Sequence, residues 1–182
     1  LPSPTAQYFI GKAHIIEEFK GFLHSYADDP IEKRHLLFNL QNRTSWHEYA
    51  RSKALEDLQQ QAEYSKNLSI VTLSKDSDFY HQYAPYHLMN DTEDFMKHLN
   101  EHIHADSTGF FFSKTIFDCI TPELTECLLK DINKTFFNKS KSLSRVERLD
   151  FIEIFYFFLE LKLIDLVSPD SFSFTCKDGI DV

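Results

Sequence analysis

Hydrophobic residues along this chain recur at two periods, and the changes from one to the other divide it into elements. Ile15, Ile16, Phe19, Phe22 and Leu23 recur at three- and four-residue spacing with Glu17, Glu18 and Lys20 opposite. That spacing predicts an amphipathic helix over 11–26, closed by Asp28-Asp29-Pro30. His35-Leu36-Leu37-Phe38-Asn39-Leu40 is a short apolar run without Gly or Pro, the pattern of a buried strand over 35–41. Ser45 stands three residues before Glu48 as a capping box, and the helix it opens is expected to run through Leu55 and Leu58 to the neighbourhood of Tyr64. Leu68-Ser69-Ile70-Val71-Thr72-Leu73 follows as a strand rich in branched residues. Strand, helix and strand in succession are the signature of a parallel βαβ unit.

The second half repeats the alternation. Phe95, Met96, Leu99 and Ile103 predict a helix over 91–105 with Thr92 as a cap, and Gly109-Phe110-Phe111-Phe112-Ser113 reads as a strand. Thr121, Pro122 and Glu123 open a helix that reaches Phe137. Ser144 and Glu147 form a second capping box, and the helix over 144–164 is apolar almost all round, so it is expected to be the central buried element. Phe172 and Phe174 alternate with small polar residues in a last strand over 171–176. The expected fold is α/β, a mainly parallel central sheet of four or more strands with helices on both faces. Residues 1–10 are expected to be a tail or linker, and 11–182 a single α/β domain truncated at its C-terminal edge. The first residue is Leu1, which points to a processed product or a piece of a longer chain.

Composition narrows the class. Eighteen Phe, eight Tyr and one Trp against four Gly and six Pro describe a folding chain with an aromatic core. No apolar run reaches the roughly eighteen residues of a membrane span. Nineteen basic and twenty-eight acidic side chains give a net charge of −9, which repels nucleic acid and anionic lipid unless cations are locally concentrated. Lys130, Lys134, Lys139 and Lys141 are too sparse for that, so no nucleic-acid partner is expected. Cys119, Cys127 and Cys176 are odd in number and lack metal-ligand spacing, which favours reduced thiols, a cytoplasmic setting and no metal or cofactor. Asn42, Asn67, Asn90, Asn133 and Asn138 each stand two places before Ser or Thr, the glycosylation acceptor pattern, so a glycosylated secreted protein is the contrary expectation.

Two stretches offer chemistry by type and position. In parallel sheets ligands bind beyond the carboxyl ends of strands, and the loop after the second strand carries Asp76, Asp78 and His81 there as a candidate acid loop. The bland alternative is a solvated acidic loop with aromatic anchors. His98 and His102 lie one turn apart, but Glu101 precedes the second His directly and does not complete a zinc-protease pattern, which favours a polar helix face.

The last residues, Cys176-Lys177-Asp178-Gly179-Ile180-Asp181-Val182, follow a strand and turn at glycine. They resemble the signature loop of cysteine-dependent phosphatases that act on phosphoinositides and inositol phosphates, whose pattern is Cys, five residues, then Arg. Asp178, Gly179 and Asp181 fall where the myotubularin-like branch carries Asp, Gly and Asp; Lys177, Gly179 and Asp181 fall where bacterial effector inositol phosphatases carry Lys, Gly and Asp. The resemblance implies a phosphatase-like fold, a Cys176 thiolate that attacks phosphorus, and Asp181 as general acid for the departing oxygen. It further implies Lys177, Asp178 and Gly179 as substrate-binding positions, and it raises a secreted effector as a further setting. Val182 stands where the family's Arg holds two phosphate oxygens through the transition state, so an impaired or truncated enzyme is expected. The implied partner is an inositol phosphate or a phosphoinositide; the alternative is a non-enzymatic protein-interaction or regulatory module.

Overall fold

A computed structural model of the chain describes residues 3–105 and 107–176. Its elements in order are β1 (Thr5–Phe9), β2 (Lys12–Ile15), α1 (Glu17–Ala27), β3 (His35–Asn39), α2 (Tyr49–Gln60), β4 (Leu68–Thr72), a 3-10 turn (Tyr86–Leu88), α3 (Thr92–His104), β5 (Phe111–Phe112), α4 (Lys114–Phe117), α5 (Pro122–Phe136), α6 (Arg145–Val167) and β6 (Ser171–Thr175). Four strands form one sheet in the order β5-β4-β3-β6, and β1 pairs with β2 in a separate hairpin. β3 is parallel to both β4 and β6, with Asn39 in register with Thr72 on one side and Thr175 on the other.

Alternation along the strands explains why helices cover both faces. Leu36, Phe38 and Val71 join a core with Phe95 and Leu99 of α3, Leu129 and Ile132 of α5, and Phe151, Phe155 and Leu159 of α6. Leu37, Leu68 and Ile70 point to the other face and meet Phe19 and Leu23 of α1 and Leu55 and Leu58 of α2. Each strand of the βαβ unit is thus buried on both sides, and the apolar runs that mark it in the sequence are the consequence. The cap chemistry holds at two helices: Thr121 accepts from the Leu124 N–H at 3.2 Å, and Ser144 and Glu147 close a reciprocal capping box.

Several expectations give way. Residues 5–9, assigned to the tail, form β1; Thr5 and Ile15 are buried, and Gly11 turns the hairpin at φ +87°. Pairing of 12–15 with β1 also delays α1 to Glu17. β5 is two residues long and antiparallel to β4, because an edge strand needs only one neighbour and its sequence carries no direction. The Ser45–Glu48 box does not form: Glu48 is itself the N-cap of α2, and its carboxylate turns inward to the Asn42 N–H at 2.6 Å. Helix α6 buries one face and leaves Phe157 and Leu161 exposed on the other, so its apolar surface exceeds what its neighbours cover.

Candidate functional site

The carboxyl ends of the three parallel strands carry a row of buried polar residues. Asn39 is fully buried; its Nδ2 donates to Ser52 Oγ of α2 at 3.0 Å and to Thr72 Oγ1 at 3.2 Å, and its Oδ1 accepts from the Gln41 N–H at 3.3 Å. Thr175, on the other flank of Asn39, reaches Ser3 Oγ at 3.5 Å, which ties the base of the hairpin to this edge. Gln41 is buried, and neither amide atom has a hydrogen-bond partner among the described residues. A buried amide without partners is costly, which sets Gln41 apart from the hydrogen-bonded Asn39, Thr72 and Thr175.

Asn42 organises the loop that leaves β3. Its Oδ1 accepts from the Thr44 N–H at 3.0 Å, the Thr44 hydroxyl at 2.7 Å and the Ser74 hydroxyl at 3.2 Å, while its Nδ2 donates to the Asp76 carbonyl at 2.6 Å. One side chain therefore fixes the loops after β3 and β4 to each other. Gly109 closes in on them: at φ +94°, a Cβ there would stand 3.2 Å from Ser74 Cβ and 3.3 Å from Thr44 Cγ2. Arg43 pairs with the buried Glu56 of α2, with Nε 2.5 Å from Oε1 and Nη2 3.2 Å from Oε2. Asn42 and Asn67 stand in glycosylation patterns, yet both are buried; Asn67 Nδ2 donates to the Lys33 carbonyl at 2.8 Å.

On the α6 side of the same edge, Tyr156 Oη donates to the Ser74 carbonyl at 3.2 Å, and burial pushes its phenol far above the ordinary range. Glu153 accepts from the Tyr80 hydroxyl and pairs with Lys75 Nζ at 2.9 Å. Glu160, two turns along the helix, is half-buried. Desolvation raises its pKa to about 7, Glu153 adds to the rise and Lys75 opposes it. Nothing in the sequence pattern singled this carboxyl out.

The sequence-derived candidates fall into three groups. Cys176 directly follows β6 and is buried against the α6-side core. In the acid loop, His81 Nε2 and Asp76 Oδ1 meet at 2.9 Å, whereas the carbonyl of the exposed Asp78 accepts from the Tyr83 N–H at 2.9 Å. Lys177, Asp178, Gly179, Asp181 and Val182 lie outside the described residues.

The acid loop is clamped from α6. Arg148 is fully buried; it donates to Gln82 Oε1 at 2.7 Å, Asn90 Oδ1 at 2.9 Å, the Leu143 carbonyl at 2.8 Å and the His87 carbonyl at 3.0 Å. Arg145 adds a 2.8 Å bond to the His81 carbonyl. Helical spacing of 145 and 148 could have flagged one shared face, but only the fold shows what it grips. His102 packs its ring on Phe79 and Tyr86, and burial lowers its pKa, with His98 adding to the effect. Among the described residues no three His, Cys, Asp or Glu side chains converge as a metal site.

The class that fold and site define is an α/β protein with a buried polar edge at the carboxyl ends of parallel strands. A scan of protein-family models and searches of curated proteins and solved structures find no match to the chain.

Proposed function

We propose that this chain is a phosphatase-like α/β domain that binds a phosphorylated inositol group, with Cys176 at the nucleophile position and turnover impaired by Val182. The observation that carries the reading is the position of Cys176, one residue past a strand whose carboxyl end is level with Asn39 and Thr72, at the edge where parallel sheets hold ligands. In the reaction this implies, Cys176 Sγ forms a bond to phosphorus as the ester P–O bond breaks. The leaving oxygen takes a proton from Asp181, and water then cleaves the phosphocysteine. Valine offers neither charge nor donor to the equatorial oxygens, and loss of such a contact costs of order 10³-fold in rate. Binding is expected to outlast catalysis.

Calorimetric titration with inositol hexakisphosphate, for the native chain and Cys176→Ser, tests the reading together with hydrolysis of an aryl phosphate. Saturable binding by both proteins with turnover about 10³-fold below that of an Arg-containing enzyme is expected. Robust Cys176-dependent hydrolysis would show that Val182 does not impair the site. A folded protein that binds no phosphorylated ligand belongs instead to the alternative class, a protein-interaction or regulatory module.

A further inference from the structure

The sheet ends in two edges of different kinds. β5 is two residues long and runs straight into α4, so that edge is blunted by its brevity. β6 has no such protection. Its run Ser171-Phe172-Ser173-Phe174-Thr175 holds no charge and no proline, and it pairs with β3 in unbroken register.

Two hydrogen bonds fix which backbone groups of β6 face outward. The Ser171 N–H donates to the Arg34 carbonyl at 3.3 Å, and the Thr175 carbonyl accepts from the Leu40 N–H at 2.8 Å, so residues 171, 173 and 175 are the ones that bond to β3. Phe172 and Phe174 therefore turn their N–H and C=O groups away from the sheet, where no described residue bonds them. Side chains pin the strand in this position. His35 Nδ1 meets Ser171 Oγ at 2.7 Å and His35 Nε2 meets Ser173 Oγ at 2.9 Å, Tyr26 Oη donates to Ser171 Oγ at 2.7 Å, and the Phe174 ring stacks on Phe38 at 4.8 Å. Phe172 remains 50% exposed.

A row of outward amides and carbonyls is matched by another extended strand, and the sequence of β6 selects which. The run has the same pattern in both directions about Ser173: hydroxyl, phenyl, Ser173, phenyl, hydroxyl. In an antiparallel pair, facing residues that exchange both bonds alternate with facing residues that exchange none. Laid against itself with Ser173 on a two-fold axis, β6 sets Phe172 opposite Phe174 of the second copy, and these are the residues whose bonds face outward. Every outward group then has a partner, and each exposed Phe172 ring meets a Phe174 ring. Self-complementarity of this kind is what an isologous contact between identical chains requires.

We propose that the chain forms a two-fold dimer through β6, antiparallel and centred on Ser173, with one sheet continuous through both copies. The two strands run in opposite directions, so the carboxyl edges that carry Cys176 lie at opposite ends of the shared sheet. The contact is one short strand pair, which makes association weak and dependent on concentration.

Sedimentation equilibrium over about a hundredfold range of protein concentration tests this, and the native chain should pass from monomer to dimer. Phe172→Pro removes an N–H that bonds nothing within one copy, and Phe172→Lys places a cation on the edge; each should weaken association at least about tenfold with unchanged circular dichroism. Register is read by copper-phenanthroline oxidation of Ser173→Cys and Ser171→Cys, each in a background of Cys119→Ser, Cys127→Ser and Cys176→Ser. Facing residues that exchange no bonds stand about 4.5 Å apart at Cα, within disulfide reach, so Ser173→Cys should cross-link to its copy, and Ser171→Cys, which faces Thr175, should not. A native chain that stays monomeric throughout overturns the dimer. So does a dimer that both Phe172 variants leave intact, or one in which Ser173→Cys cross-links no better than Ser171→Cys. If a Phe172 variant loses its native circular dichroism, the cross-linking pair, which leaves the outward backbone unaltered, decides alone.

Discussion

Asn42 Nδ2 stands 2.6 Å from the Asp76 carbonyl, so the loop that leaves β3 and the loop that leaves β4 are fixed by one buried amide. The rest of the carboxyl edge is arranged around that contact.

Replacing Asn42 with Ala removes the acceptor for the Thr44 N–H and the Ser74 hydroxyl together with the donor to Asp76. Leaving buried groups unpaired costs about 1–3 kcal/mol, which should appear as a lower urea midpoint with unchanged slope. Protease should then cut first in the loop that carries Asp76 and His81.

Arg148 satisfies four acceptors, none of them a carboxylate, with a fully buried guanidinium. Burial, with Arg145 nearby, lowers its pKa, yet a guanidinium remains charged in proteins. Arg148→Ala should destabilise by about 3 kcal/mol or more, and Arg148→Lys should rescue little of it because an ammonium lacks the planar fork. Thermal melts of the two variants check this.

His35 and Glu160 should oppose each other, so that their joint contribution to stability is nearly flat between pH 4.5 and 6.5 and falls on either side. Burial lowers the His35 pKa from 6.5 to about 4, so as pH falls through that window the unfolded chain takes up a proton that the folded one refuses, and stability is lost. Glu160 works the other way. Its pKa is raised from 4.5 to about 7, so the folded state holds a proton that the unfolded state has released, and stability falls as pH rises between those values. Glu160→Gln should remove that loss and gain about 1–3 kcal/mol at pH 8 relative to pH 5, read from urea midpoints across pH.

Two glycines should respond oppositely to alanine. Gly109→Ala meets both a positive φ and a crowded Cβ position and should destabilise by about 1–3 kcal/mol. Gly21 lies within α1 with open space around its Cβ position, so Gly21→Ala should stabilise by about 0.5–1 kcal/mol. Chemical denaturation separates the signs.

Cys119 and Cys127 are exposed and Cys176 is buried. Brief iodoacetamide treatment of native protein should therefore add two labels quickly and the third, on Cys176, more slowly than on a peptide thiol. Intact-mass measurement that finds Cys176 labelled first would mean that its strand end opens readily.

The sequence by itself determined the βαβ unit, the apolar strands at 35–39, 68–72 and 171–175, and the caps at Thr121 and Ser144, because these rest on local periodicity and backbone groups a few residues apart. It also marked the loop of Asp76 and His81 and the strand that ends in Cys176. Tertiary structure decided the rest. Whether Phe111 and Phe112 run parallel or antiparallel, and whether Thr5 to Phe9 pair or trail, depends on which edge they meet, and no local pattern encodes an edge. Glu48 sits where a capping box would use it and turns instead to Asn42, since a buried N–H in need of an acceptor outweighs an exposed helix end. The polar row of Thr175, Asn39 and Thr72, the clamp of Arg148 on the acid loop, and the raised carboxyl of Glu160 join residues from 33 to 136 positions apart, so they exist only once packing brings distant strands level and excludes water between them.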